Sequence, residues 1–140
     1  MNPWDLSASE LLVWGIVLHL IADWPLQNEW MANNKMYLRH SFAGYVHAGI
    51  HGILLTIIFG WVAIPLAVVH LLIDTRKPVV WWSKFVRQTQ PAGSLAVVDD
   101  PEKEDSRLIF LYDMGLEVRI WTDQVFHIFT LAVAAILVSL

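Results

Sequence analysis

Four runs of apolar residues dominate the chain: Leu11 to about Leu26, Ser41 to Phe59, Trp61 to about Thr75, and Ile120 to Leu140. Each comes near the roughly 20 residues with which a helix crosses the hydrocarbon core of a bilayer, and the third has room to run on to Trp82. Gly60 leaves almost no loop between the second and third runs, so these two are expected to form a tight antiparallel hairpin. The one long polar segment, Ser83 to about Arg119, holds Pro91-Ala92-Gly93-Ser94 and the acidic run Asp99 to Asp105, and reads as a solvated loop. Asp105 or Ser106 is placed to cap a helix that continues from Arg107 into the fourth run. The expected fold is all-α: a single domain over residues 1–140, an integral membrane four-helix bundle with one loop, about 83–119, between its third and fourth helices.

Composition agrees with lipid as the solvent. Hydrophobic residues make up 56% of the chain and charged ones 16%, whereas soluble domains carry about 25% charged residues. No small-residue cleavage pattern follows the first run and no basic residue precedes it, so this run is expected to stay in the mature protein. Four spans put the start of the chain, Gly60 and Leu140 on one side of the membrane and the two longer connections on the other. All nine Lys and Arg fall on the second side: Lys35 and Arg39 in the first connection, and Arg76, Lys77, Lys84, Arg87, Lys103, Arg107 and Arg119 in the second. The positive-inside rule makes that side cytoplasmic. The expected location is the inner, cytoplasmic membrane, multi-pass, with both termini outside. Trp24, Trp30, Trp81, Trp82 and Trp121 mark the cytoplasmic level, and Trp4, Trp14 and Trp61 the other, as in aromatic belts.

Candidate chemistry lies inside the spans. Five of the six histidines and every acidic residue within the runs form four pairs spaced by four: His19/Asp23, His47/His51, His70/Asp74 and Asp123/His127. Four residues advance a helix by about 400° and about 6 Å, so the members of a pair share one face. The first and third helices run toward the cytoplasm and carry their pairs late, while the second and fourth run away and carry theirs early. All four pairs are thereby expected at one depth, in the cytoplasmic half of the bundle, as in bundle-core metal sites.

A charged Asp at the centre of a span costs about 2.5–3.5 kcal/mol on insertion scales, so Asp23, Asp74 and Asp123 need a shared compensation. Three carboxylates set against two divalent cations leave one net positive charge, and eight donors over-supply a single ion. The expectation is a dinuclear centre ligated by His19, Asp23, His47, His51, His70, Asp74, Asp123 and His127, with the three Asp also as candidate catalytic groups. The chain has no cysteine, so the donors are nitrogen and oxygen. That set suits divalent zinc, iron or manganese, and zinc is placed first. Gln27, Lys77 and Gln124 stand near the pairs as candidates for substrate contact or for orienting the ligands. Lys77, Lys35 and Arg39 also read as basic anchors at the membrane face, and His40 stands outside the pairs. A metal-free network of His–Asp hydrogen bonds leaves the HxxxH pair without a reason, and a bis-histidine haem leaves the three Asp without one.

The run His19-Leu20-Ile21-Ala22-Asp23-Trp24-Pro25-Leu26-Gln27, continued by Trp30-Met31-Ala32 and Lys35, resembles an uncharacterised family of small bacterial and phage membrane proteins marked by HxxxD-aromatic-xxQ. His47 with His51, His70 to Asp74 with Lys77, and Asp123-Gln124-x-x-His127 match its later elements, so the resemblance covers all four spans. Pro25 and the polar Ser83 to Asp105 loop do not map onto the motifs that carry the resemblance. Similar HxxxD patterns occur in membrane-bound metal-dependent hydrolases and zinc-dependent phospholipases C, and the resemblance implies hydrolysis by analogy.

The expected function is a membrane-embedded metal-dependent hydrolase acting on an ester or phosphoester of a lipid-like or amphipathic substrate reached from the cytoplasmic side. The expected partners are membrane lipid and such a substrate, with no nucleic acid. A divalent-metal transporter or sensor is the first alternative, because cation-efflux carriers use HxxxD pairs in spans. A di-iron oxidase or hydroxylase is the second, although such enzymes are richer in HxxxH and HxxHH. The sequence leaves substrate, metal and oligomeric state open.

Overall fold

The computed structural model describes residues 5–38, 40–87 and 116–140. Arg39 and residues 88–115, with the Pro91 to Ser94 turn, the acidic run and the helix expected from Arg107, lie outside them. The described residues form helices and no strands.

Helix α1 spans Ala8–Asp23, so it begins and ends three residues earlier than the apolar run. Its start is fixed by a capping box: the Ser7 hydroxyl accepts from the Glu10 amide at 3.4 Å and the Ser7 amide donates to Glu10 Oε2 at 2.9 Å. These Ser7 hydrogen bonds hold the Glu10 carboxyl below its ordinary value. Its end is fixed by Pro25, which has no amide hydrogen for the Ile21 carbonyl; the Leu26 amide takes that carbonyl instead, at 3.2 Å. Pro25 therefore terminates the helix.

A short helix α2, Glu29–Asn34, follows in the first connection, where the apolar pattern predicts none; Asn28 caps it by accepting from the Met31 amide at 2.9 Å. Helix α3 spans Ala43–Phe59. Gly60 ends it at φ 57 and ψ −135, a backbone conformation that favours glycine. A single 3-10 turn, Gly60–Val62, leads into α4, Ala63–Asp74. The two arms lie side by side as the expected hairpin: a Cβ on Gly52 would come within 3.1 Å of the Ala67 Cβ.

The third apolar run does not continue to Trp82. Pro78 cannot bond back to Asp74 and its ring crowds that carbonyl, so the helix stops at Asp74. The chain turns through Arg76 at φ 60, and α5 restarts over Lys77–Arg87. Pro78 is tolerated there because it falls in the first turn of the new helix. Residues 83–87, expected as loop, belong to α5. The last helix, α6, spans Leu116–Ser139 and starts four residues before the apolar run.

Helices α1, α3, α4 and α6 pack in a ring: α1 against α3 and α6, and α4 against α3 and α6. One half of the interior is apolar, built from Leu11, Leu55, Ile58, Phe59, Ala63, Leu66, Leu131, Ala134 and Ala135. Gly15 makes room for the buried Phe59 ring, whose Cε2 would lie 3.2 Å from a Cβ there. The other half is polar. The outer surface is apolar, with Ile53, Ile64, Val125 and Phe129 between 61% and 74% exposed, one on each arm of the hairpin and two on α6. Two segments are long and apolar enough to cross a membrane by length and composition, Ala43–Asp74 at mean hydropathy 2.5 and Trp121–Ser139 at 1.5. The first of them contains the turn at Gly60 and so folds into two arms.

Candidate metal centre

The spacing of four turns each pair toward the bundle axis, and the alternating helix directions bring the pairs to one level. His19, Asp23, His47, His51, His70, Asp74 and His127 are all buried. Their rings form one cluster: the centroids of His51 and His70 lie 3.6 Å apart, those of His70 and His127 4.2 Å, and those of His19 and His51 4.8 Å. Two groups have donor atoms within 4.8 Å of one another, Asp23 with His47, His51 and His70, and His70 with Asp74 and His127. This buried His/Asp cluster could hold a metal ion, and His70 belongs to both groups.

The tautomers can be read outward from Asp23, whose carboxylate only accepts. Gln124 therefore turns its amide nitrogen to Asp23 Oδ2, at 2.7 Å, which leaves its carbonyl Oε1 facing His19 Nε2 at 3.2 Å. With neutral rings, the form that ligates metal, His19 then carries its hydrogen on Nε2 and a lone pair on Nδ1. His51 Nδ1, 3.2 Å away, must donate to it. The consequence falls on His51 Nε2, a bare lone pair buried 3.3 Å from the carboxylate oxygen Asp23 Oδ1, with no hydrogen-bond partner.

His127 repeats the pattern. Its Nδ1 donates to the Asp123 backbone carbonyl at 3.0 Å, so its Nε2 is also a bare lone pair without a partner. Metal-ligating histidines characteristically fix the far nitrogen in this way. His70 Nε2 and Asp74 Oδ2 lie 3.2 Å apart, yet neither has a partner in hydrogen-bond geometry, whereas Asp74 Oδ1 is ion-paired with Lys35 Nζ at 3.1 Å. Lone pairs buried against carboxylate oxygens repel unless a cation lies between them. Two bonds of about 2.0–2.1 Å at a tetrahedral angle place ligand atoms roughly 3.3 Å apart. The separation of Asp23 Oδ1 from His51 Nε2, 3.3 Å, matches that spacing, while His47 Nε2, 3.1 Å from the same oxygen, lies in hydrogen-bond geometry with it. These residues fit a divalent cation with nitrogen and oxygen ligands.

The other candidates divide. His19 is inside the cluster, 3.2 Å from Asp23 Oδ2, but in neither donor group, and its contacts are those of an orienting residue. Asp123 is also outside both groups; its side chain is 22% exposed and lies 3.8 Å from His127 Nδ1. Gln124 is part of the network. Gln27 is not in hydrogen-bond contact with it, and its Oε1 is buried without a partner. Lys77 and His40 are exposed, and His40 belongs to neither donor group.

Lys35 is the residue that sequence reasoning left at the membrane face. Its Nζ lies 3.1 Å from Asp74 Oδ1, 3.2 Å from His47 Nε2 and 3.7 Å from Asp23 Oδ1, with the side chain 13% exposed. The signal available beforehand was Asn28 as a cap for a short helix ending at Lys35.

Family comparison covers nearly the whole of this architecture, because the family described as "Protein of unknown function (DUF3307)" matches residues 11–140. The chain belongs to that family. No curated protein and no solved structure matches it. The family match spans all four pairs and the short helix that carries Lys35.

Proposed function

We propose that this protein is a four-span membrane protein whose interior holds a divalent-metal centre, and that the centre hydrolyses an ester or phosphoester of an amphipathic substrate entering from the cytoplasmic side. The observation that carries the metal reading is the pair of buried Nε2 atoms on His51 and His127 that lie beside carboxylate oxygens without a hydrogen-bond partner. Membrane placement is supported by the apolar outer surface around a polar interior, an inversion that a soluble monomer, with apolar patches limited to a few hundred Å², does not show. It is supported too by exposed tryptophans at two levels, Trp24, Trp81 and Trp121 at the end with the centre and Trp61 at the other. The basic residues at the first level favour a cytoplasmic centre.

A bound divalent ion would supply a Lewis acid and lower the pKa of water toward about 7. Asp23, His47, His51, His70, Asp74 and His127 would hold it, with zinc, iron and manganese all compatible and zinc placed first. Gln124 and His19 set the orientation of Asp23 and His51. Asp123, the most accessible of the three carboxylates and outside both donor groups, is free to take a proton from the attacking water. Transport fits less well, because the apolar half from Leu11 to Leu131 closes the interior beyond the centre. The experiment is hydrolysis of phosphoester and acyl-ester lipids by metal-restored protein, wild type beside Asp123→Asn. Turnover that Asp123→Asn abolishes with metal content intact supports the reading. Metal moving across vesicles, with no hydrolysis of any lipid offered, supports transport instead.

A further inference from the structure

A charge count based on the three carboxylates alone omits a group that the fold brings among them. Lys35 lies in the first connection, yet its ammonium touches Asp23 and His47 of one donor group and Asp74 of the other. It stands at the junction of the two groups. The contact is built into the bundle: a Cβ on Gly44 would meet the Lys35 carbonyl oxygen at 2.5 Å and Leu38 Cδ2 at 2.8 Å. Only glycine at that position of α3 lets the end of α2 lie this close, and Gly44 stands one turn before His47. The Lys35 amide in turn bonds the Met31 carbonyl at 2.9 Å, closing α2 over a buried Met31.

Resting on the metal reading above, we propose that Lys35 is the built-in second cation of the centre, its ammonium taking the place of a second metal ion between Asp23 and Asp74. Each chain then holds one divalent ion. The position of the ammonium, against Asp23 of one donor group and Asp74 of the other, and the charge balance converge on this. Three carboxylates are balanced by one divalent ion and one ammonium, whereas two ions and the ammonium would leave the buried site with two uncompensated positive charges.

The test is equilibrium dialysis of the full chain in detergent against zinc, with metal counted by mass spectrometry. Wild type and Lys35→Arg should hold one ion per chain, and Lys35→Met should hold two, because removing the ammonium frees a carboxylate-lined position. Gly44→Ala should behave like Lys35→Met without any change of charge, since its Cβ displaces the Lys35 backbone. Two ions in wild type, or one in both folded Lys35→Met and Gly44→Ala, would overturn the Lys35 assignment and leave the metal centre standing. A folded wild type that takes up no ion would remove the metal centre itself, and this inference with it.

Discussion

Replacing Gln124 by Leu removes the group that sets the tautomers of the cluster while leaving every candidate ligand in place. The Gln124 amide donates to Asp23 Oδ2 at 2.7 Å and its carbonyl fixes His19, which in turn fixes His51. Hydrogen bonds to charged groups contribute about 1.5–3 kcal/mol, and tenfold in affinity is about 1.4 kcal/mol, so zinc affinity should fall roughly 10- to 140-fold. Losses of 10- to 100-fold on removing partners of metal ligands are of the same size. Competition against a chromophoric chelator in detergent measures it, with circular dichroism to check that the helices persist. An affinity within about twofold of wild type in folded Gln124→Leu would refute the chain of tautomers, because His51 would then be oriented by something else.

Metal affinity should fall as pH is lowered, because imidazole nitrogens must be unprotonated to ligate and protons compete for the same lone pairs; chelator competition at a series of pH values checks it, and a flat profile contradicts histidine ligation. Cysteine at the exposed His40 should react only with reagent admitted to the cytoplasm, and cysteine at the exposed Ser139 only with reagent outside; the opposite pattern reverses the orientation. Ser7→Ala should raise the Glu10 pKa back toward its ordinary value, measured by NMR titration, since the shift comes from the Ser7 hydrogen bonds; an unchanged Glu10 would mean that the capping box does not persist in solution.

The spacing of four made the buried His/Asp cluster legible, because it states a physical fact about helix faces, and alternating helix direction brings the pairs to one level of the bundle. The hairpin at Gly60 was legible for a similar reason: no residues remained to make a loop. What the apolar pattern could not give was the rotation of each helix about its axis. That rotation decides that His70 joins both donor groups while His19 and Asp123 join neither. The helix ends followed local chemistry that hydropathy ignores, namely the Ser7/Glu10 box, Pro25 and Pro78. Lys35 was misplaced because a lysine between two apolar runs looks the same whether it anchors at the headgroups or folds back. The distinction rests on a short capped helix and on a glycine, Gly44, whose partner is backbone nine residues earlier.

Metal analysis of detergent-purified, folded protein tests the centre most directly. One divalent ion per chain is expected, lost in His51→Ala, whose Nε2 faces Asp23 at 3.3 Å, and kept in His40→Ala, which is exposed and outside the cluster. Folded protein that stays metal-free after exposure to zinc, iron and manganese, or that loses its ion with His40 rather than His51, would contradict the assignment.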